Sequence, residues 1–354
     1  MIRIFKTVIA NIIVFLLIFG SIEIFFRLQF PEFKGHIFSE SKSMGINYID
    51  GEFYGYQVRS PQQNDSRIKN DPLVLIFGDS ISGGFGTAYE DIWWRKLERL
   101  LEIKEIDREV ISISGYGNNL GDSTANIKNA IKKLVQKEDV EIDRIIYQFN
   151  FNDIMPFSSS DLEELTPSNS ELFSRFAKWR YQYANYSVFL RTTQHYLGKF
   201  IRKTSGNCID REWHALGPYT WTYGSKAYKK ESEIYWSEFK KNISNIKQLS
   251  DSHNIKFEIF LSPILYDIDS LNAHPHFNYL NYDFDCATID PKERFKEMEK
   301  SLGIKIYDPS IALKESFEMR IREGNFLPYF FTADDNHFTP VAAGYVAEVI
   351  ANEW

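Results

Sequence analysis

The stretch LVLIFGDS, residues 73–80, decides the predicted fold. Its first five residues, Leu73–Phe77, are apolar and precede a glycine, which is typical of a strand buried on both faces of a parallel sheet. Ligands of such sheets bind at the carboxyl ends of the strands. We therefore expect Ser80, in the turn after this strand, to face a cleft with its backbone N–H at the start of a helix, where it suits an anion. Taken alone, Gly78-Asp79-Ser80 is also an ordinary turn sequence.

Beyond this strand, the sequence alternates between strand and helix patterns. Further strands are predicted at Glu109–Ile113, Arg144–Phe149, Ile255–Leu261 and Ile304–Tyr307. Helices are predicted at Asp91–Ile103, Ala125–Val135, Pro291–Leu302, Ile311–Glu323 and Pro340–Trp354. This alternation predicts an α/β domain over residues 71–354, in which a mostly parallel sheet lies between two helical layers: a three-layer α/β/α sandwich.

Two regions interrupt the alternation. Residues 31–70 are polar and show little periodicity, so we expect a stalk that leads into the domain. Residues 157–253 contain no clear strand, and their aromatic-rich segments have helical spacing. We expect them to form a helical insertion over the functional side of the domain, and the sequence does not tell whether it moves as a lid.

The first thirty residues contain a run of twenty mostly apolar residues, Thr7–Phe26. A helix of this length spans about 30 Å, the thickness of the hydrocarbon core of a bilayer. Arg3 and Lys6 precede the run and favour a cytoplasmic N-terminus. A cleaved signal peptide and a buried helix are the alternatives, but the pairs Ile18/Gly20 and Phe19/Ser21 fit poorly to the small residues required before a cleavage site. We expect residues 1–30 to be a single-pass transmembrane anchor, with the following domain outside the cytoplasm, in the periplasm or the extracellular space.

Composition argues against several classes of partner. The net charge is −7 and no basic block stands out, which disfavours nucleic-acid binding. The two cysteines, Cys208 and Cys286, form no CxxC pattern, so a redox motif or metal site is not expected; they either pair or remain free. His274 and His276 lack partners at metal-ligand spacing and are interpreted as part of a solvated loop.

A second reactive pattern lies close to Pro340. The segment Asp334-Asp335-Asn336-His337 places a carboxylate three residues before a histidine. Side chains at this spacing share one face of a helical turn, so Asp334 is placed to accept a hydrogen bond from Nδ1 of His337. That contact would leave Nε2 free to take a proton from a serine. A surface loop with the same residues is the alternative interpretation.

Four short blocks carry a family resemblance. Gly78-Asp79-Ser80 follows the first predicted strand, Ile113-Ser114-Gly115-Tyr116-Gly117 follows the second, Asn150-Phe151-Asn152-Asp153 follows the third, and Asp334 with His337 lies near the end. In this order and placement the sequence resembles the SGNH (GDSL-like) serine hydrolases, over Leu73 to Trp354. The resemblance implies an SGNH or flavodoxin-like sandwich and an enzyme without metal or organic cofactor.

The resemblance also implies a role for each matched residue. Ser80 would be the nucleophile, His337 its base and Asp334 the residue that orients the base. The oxyanion hole would consist of the backbone N–H groups of Ser80 and Gly115 and the side-chain amide of Asn152. Two positions depart from the family pattern: Asn150 replaces a glycine, and Val110-Ile111-Ser112 lacks an asparagine that is common before the second block.

The sequence therefore predicts an ester hydrolase that acts through an acyl-enzyme on an extracytoplasmic ester, an acylated polysaccharide or a lipid. An O-acyltransferase of cell-surface polysaccharide would use the same residues, and the motifs do not distinguish water from a sugar hydroxyl as the acceptor. A third hypothesis is a non-catalytic carbohydrate-binding module that keeps the fold. The acyl group, the alcohol and the oligomeric state are left open.

Overall fold

The computed structural model describes about three fifths of the chain. The described residues are 2–29, 50–53, 56–59, 72–84, 87–115, 120–136, 140–151, 153–154, 187, 189–190, 192–193, 222–224, 229–268, 287–324, 329–330 and 337–354. The statements below refer to these residues.

A five-stranded parallel sheet forms the centre of the molecule. Its strands are β3 (Leu73–Gly78), β4 (Glu109–Ser114), β5 (Ile142–Phe149), β6 (Lys256–Leu261) and β7 (Lys305–Tyr307). They lie in the order β4-β3-β5-β6-β7, and every neighbouring pair is parallel. The parallel sheet predicted from the alternating pattern is confirmed, and the carboxyl ends of all five strands lie at one edge.

Helices cover both faces of this sheet. The described helices of the domain are α2 (Trp93–Ile103), α3 (Leu120–Ala130, continued by a π turn at Ile131–Val135), α4 (Lys229–Ser252), the short α5 (Leu265–Ile268), α6 (Pro291–Leu302), α7 (Ser310–Arg322) and α8 (Pro340–Asn352). Side chains of α2, α7 and α8 pack with even-numbered residues of β3 and β5 such as Val74 and Ile146. Those of α3, α4 and α6 pack with odd-numbered residues such as Leu75 and Ile145 on the other face.

This two-sided burial explains the composition of the strands. In β3, every residue from Leu73 to Phe77 is fully buried, so both alternating sets of side chains must be apolar. Removing such a run from water is the main favourable term for the domain, because each large aliphatic side chain contributes about 1.5–3 kcal/mol when fully buried. The continuous apolar run in the sequence therefore forms the central part of the sheet.

The helix ends carry the caps that stop and start them. Helix α6 begins at Pro291 after Asp290, whose carboxylate accepts a hydrogen bond from the backbone N–H of Lys292 at 2.9 Å. It ends before Gly303, which adopts a left-handed conformation with φ of 62°. Helix α8 begins in the same way, with the Thr339 side chain capping and Pro340 at the first helical position.

A buried charged group lies near the amino ends of β5 and β6; we call Arg144, Glu258, Tyr307 and Trp354 the strand-start cluster. Nη1 of Arg144 lies 3.0 Å from both carboxylate oxygens of Glu258. The Tyr307 hydroxyl donates to the same carboxylate at 2.8 Å, and the Arg144 guanidinium lies 3.6 Å from the centre of the Trp354 ring. The cluster thus fastens β5, β6, β7 and the residue at position 354 to one another.

The residues before the sheet form a helix and a hairpin. Helix α1 spans Ile2–Gln29, and β1 (Asp50–Phe53) pairs antiparallel with β2 (Tyr56–Arg59) inside the segment predicted to be a stalk. Near the end of α1, the Glu23 carboxylate accepts hydrogen bonds from the Ser187 hydroxyl at 2.7 Å and from the backbone N–H of Phe189 at 3.1 Å.

Across the described residues, we find no helix that combines the length and the apolarity needed to cross a membrane. The transmembrane anchor predicted for residues 1–30 therefore has no support from the structure.

Candidate active site

Ser80 lies in a tight turn at the carboxyl end of β3. The backbone N–H of Gly83 donates to the carbonyl of Asp79 at 2.9 Å, and that of Gly84 donates to Ile81 at 3.2 Å. The Asp79 side chain accepts from the Ile81 N–H at 2.9 Å, which closes the first half of the turn. No described residue accepts a hydrogen bond from the backbone N–H of Ser80.

The glycine before this turn is required by a close approach from the neighbouring strand. A Cβ atom on Gly78 would lie 2.6 Å from Oε1 and 2.9 Å from Cβ of Gln148 in β5. The space is needed because Gln148 holds the turn: its Oε1 accepts from the backbone N–H of Ser82 at 3.0 Å and from the Ser82 hydroxyl at 2.5 Å. Glycine at position 78 thus has a packing cause.

His337 is placed by the residues that follow it. Phe338 is buried and forms an isolated antiparallel bridge with Phe330. The Thr87 hydroxyl donates to the Phe338 carbonyl at 3.3 Å, and the Thr339 N–H donates to the Tyr329 carbonyl at 2.9 Å. These contacts fix the lead-in to α8 and direct the imidazole toward the turn after β3.

The structure brings the predicted nucleophile and base together. Nε2 of His337 lies 2.8 Å from Oγ of Ser80. When Nε2 carries no proton, the serine hydroxyl donates to it, and this is the geometry in which an imidazole can take the proton as the oxygen attacks. Ser80 is 9% exposed, so only a small part of the residue contacts solvent.

Of the two other predicted oxyanion donors, one is placed and one lies outside the described residues. The backbone N–H of Gly115 donates to the carbonyl of Gly78 at 3.4 Å, which extends the pairing of β3 with β4 by one residue. This long contact leaves Gly115 at the correct edge of the sheet, but its N–H already has an acceptor. Asn152 and Asp334 lie outside the described residues, as do Cys208, Cys286, His274 and His276.

A buried polar network beneath Ser80 was not predicted from the sequence; we call Asp79, Gln148, Asn150 and Asp153 the strand-end cluster. All four are less than 8% exposed. Nε2 of Gln148 donates to Oδ1 of Asp79 at 3.1 Å, and the Asn150 amide donates to Oδ2 at 2.6 Å. The available signals were Gln148, a polar residue in an apolar run, and Asn150, a departure from the family glycine.

The two carboxyl groups of this cluster lie in an electronegative environment. Burial, together with the negative charge of Asp79, raises the pKa of Asp153 well above its ordinary value. The pKa of the fully buried Tyr147 hydroxyl is raised by the same causes, burial first and then the charges of Asp153 and Asp79. Burial beside Asp79 therefore favours the protonated form of Asp153 relative to that of an exposed aspartate.

A cavity of about 520 Å³ lies at the same edge of the sheet, beyond the ends of β5 and β6. Its walls are mainly apolar and include Phe149, Leu261, Ile289 and Phe295. Polar groups border it at Ser262, Thr288, Asp267 and Lys292. A space of this kind suits a mostly apolar group of a small ligand.

Comparisons with known proteins found likenesses in structure alone. No family model and no curated protein matches the sequence. Among solved structures, a member of the lipolytic G-D-S-L family from Veillonella parvula is similar with a TM-score of 0.39 and 13% identity, over 79% of this chain and 96% of that one. A lipase/acylhydrolase from Enterococcus faecalis is similar with a TM-score of 0.37 and 13% identity, over 80% of this chain and 94% of that one. A psychrotrophic esterase from a Pseudoalteromonas species is similar with a TM-score of 0.37 and 11% identity, over 80% of this chain and 96% of that one. We base the proposed function on the contacts of Ser80 and His337 rather than on these likenesses.

Proposed function

We propose that the protein is a serine-dependent ester hydrolase that works through an acyl-enzyme. The observation that carries the proposal is the 2.8 Å contact between Oγ of Ser80 and Nε2 of His337 at the carboxyl end of β3. A serine hydroxyl is a weak nucleophile at neutral pH until an adjacent base removes its proton, and this pair supplies both groups.

The reaction follows from this pair in two halves. His337 takes the proton of Ser80 as Oγ bonds to the ester carbonyl carbon, and the carbonyl oxygen becomes an oxyanion. The alkoxy group then leaves with the proton held by His337, so an acyl-serine and an alcohol are formed. Water attacks the acyl-serine in the same way, with His337 again accepting and returning the proton, and the carboxylic acid is released.

The oxyanion needs donors that are fixed in advance. The backbone N–H of Ser80 supports this role because no described residue accepts from it. The Gly115 N–H would join it by exchanging its long contact with Gly78 for the oxyanion. The Asn152 amide is proposed as the third donor and Asp334 as the residue that orients His337, both on the sequence blocks. Each such donor is worth about 3–4 kcal/mol in comparable sites.

For the substrate we propose a class of esters rather than a single compound. An acylated polysaccharide or a lipid outside the cytoplasm is the ester we propose, on the strength of the sequence blocks. The same acyl-serine would serve an O-acyltransferase if a sugar hydroxyl took the place of water. Release of free acid, measured against transfer to an added oligosaccharide, separates the two.

The deciding experiment is labelling of the detergent-solubilised full chain with a fluorophosphonate, followed by hydrolysis of p-nitrophenyl esters of graded chain length. We expect the wild type to be labelled and Ser80→Ala to be neither labelled nor active, with at least about a 10³-fold loss of rate. Circular dichroism of Ser80→Ala should match the wild type. A wild-type protein that neither reacts with the probe nor cleaves any ester would indicate the non-catalytic module instead.

The cellular location is a separate proposal. We propose that α1 attaches the protein to a membrane, on the strength of the apolar run Thr7–Phe26 and the exposed apolar side chains of α1 such as Phe15 and Leu17. The charge of Glu23 is compatible with an apolar setting because Arg27 and Ser187 contact it at 2.8 and 2.7 Å. We expect the full chain to stay in the membrane pellet after a carbonate wash and residues 31–354 to be released. A full chain that the wash extracts would refute attachment through α1.

A further inference from the structure

Asn150 joins two loops at the candidate site. Its side-chain amide donates to Oδ2 of Asp79, which precedes Ser80, at 2.6 Å. Its backbone N–H donates to Oδ2 of Asp153 at 2.7 Å, and its carbonyl accepts from the Asp153 N–H at 3.0 Å. One buried residue therefore connects the turn that carries Ser80 with Asp153.

The conformation of the Asn150 side chain is itself fixed. Its Oδ1 accepts from the backbone N–H of Phe151 at 2.9 Å, so the amide nitrogen is directed at Asp79. The Phe151 carbonyl in turn accepts from the Thr222 hydroxyl. The orientation of the amide is thus held from both of its ends and does not depend on a ligand.

The other oxygen of Asp79 is held as well. Oδ1 accepts from Ile81 N–H at 2.9 Å and from Gln148 Nε2 at 3.1 Å. With Asn150 on Oδ2, three donors fix the carboxylate, and the turn that it anchors has little freedom left. Among the described residues no cation contacts Asp79. Its carboxylate is held by neutral N–H donors, whereas Arg144 holds the Glu258 carboxylate in the strand-start cluster.

We infer that Asn150 is a positioning residue for the reaction, holding Ser80 in reach of His337 through Asp79 and holding the 150–153 loop in register with it. The inference rests on the proposed hydrolase function. It follows from geometry: a nucleophile displaced by about 1 Å from its productive position loses on the order of 10²-fold in rate. Asn150 does not touch the reacting atoms.

The test compares Asn150→Ala with Asn150→Asp in the full chain. For Asn150→Ala we expect kcat for p-nitrophenyl acetate and the rate of fluorophosphonate labelling to fall about 10–100-fold, with KM changed less than about 3-fold. Tyr307→Phe, which removes a buried hydrogen bond in the strand-start cluster, is the matched control and should keep the wild-type rate per folded molecule.

The Asn150→Asp variant supplies a second measurement, the pH dependence of the rate, which would not change if Asn150 had a purely structural role. When protonated, the introduced carboxyl can donate to Asp79 as the amide does; when ionised, it repels it. The titratable groups around it are Asp79, Asp153 and Tyr147, and the ratio to wild type removes the pH dependence that the two proteins share. We expect the ratio of the Asn150→Asp rate to the wild-type rate to rise as the pH is lowered from about 8 to 5.5, and the Asn150→Ala ratio to stay flat.

The possible failures can be told apart. A labelled wild type with Asn150→Ala labelled at the same rate overturns the inference and leaves the hydrolase proposal standing. A wild type that is not labelled removes both. If Asn150→Ala does not fold, the isosteric Asn150→Asp decides alone, and a pH-independent ratio near 1 overturns the inference.

Discussion

The same sheet holds two buried polar clusters that are built on different principles. In the strand-start cluster, the positive charge of Arg144 is matched by Glu258 at 3.0 Å, and Tyr307 and Trp354 complete the contacts. In the strand-end cluster, the carboxyl groups of Asp79 and Asp153 receive donors from Gln148, Asn150 and the backbone. No cation among the described residues contacts those two carboxyl groups.

The difference shows which cluster serves stability and which serves the site. A buried ion pair with satisfied hydrogen bonds holds neighbouring β-strands together. Removing one partner leaves the other charge buried and less well compensated. Two buried carboxyl groups that no described cation contacts are less favourable, because burial and mutual repulsion favour the protonated form of Asp153. Arrangements of this kind are concentrated at functional sites, and here the arrangement lies directly beneath Ser80.

The largest expected effect tests the stabilising role of the strand-start cluster. Glu258→Ala removes the more buried of the two carboxylate partners of Arg144, the other being Asp143 at 3.3 Å, and should lower the free energy of unfolding by about 3 kcal/mol. Tyr307→Phe, which removes one hydrogen bond to the same carboxylate, should cost about 1 kcal/mol. Urea unfolding followed by tryptophan fluorescence measures both. Esterase rates per folded molecule should be unchanged, and a loss of kcat in Glu258→Ala comparable to that of Asn150→Ala would erase the distinction between the clusters.

A smaller effect compares one carboxyl from each end of β5 through the pH dependence of stability. Because the folded-state pKa of Asp153 is raised, its contribution to stability is lost as the pH rises above the unfolded value of about 4. Asp153→Asn should therefore melt at a higher temperature than wild type at pH 7, by a few degrees, and this gain should disappear toward pH 4.

Asp143 is the matched control of opposite sign. Burial raises its pKa, but the charges of Arg144 and Lys256 and a hydrogen bond from Arg108 outweigh burial and lower the pKa overall. The contribution of Asp143 to stability is present above its pKa in the unfolded chain and is lost as the pH falls through its pKa in the folded protein. Asp143→Asn should melt below wild type at pH 7 and approach it in acid. If the melting temperatures of both variants at pH 7 shifted from the wild-type value in the same direction, the environments assigned to Asp153 and Asp143 would be wrong.

The fold was predictable because its signals are local. Leu73–Phe77 is a run that no half-exposed strand would carry, and the caps at Asp290 and Thr339 precede prolines at the first helical positions. The hairpin of β1 and β2 was missed, because strands of four residues leave too short a pattern for alternation to be seen. The insertion over residues 157–253 was predicted to be helical, and within it α4 is the long helix that the structure describes.

The site was predictable in part, for a different reason. The meeting of Ser80 and His337 followed from the order of four short blocks and not from any local pattern around either residue. The roles of Gln148 and Asn150 could not be derived in the same way, since an amide in a strand or turn forms hydrogen bonds with whatever the fold brings near it. Only the register that sets Gln148 beside Gly78 reveals that the two residues depend on each other.

The contact between Ser80 and His337 joins positions that are 257 residues apart. Closing so long a loop carries a large entropic cost, which is repaid only once β3 and the lead-in to α8 are both in place. A nascent chain still emerging from the ribosome, or one cut by a protease between those segments and separated, has the hydroxyl without its base. The Ser80–His337 pair thus forms only in the finished tertiary structure, and we expect partly folded forms to lack the proposed esterase activity.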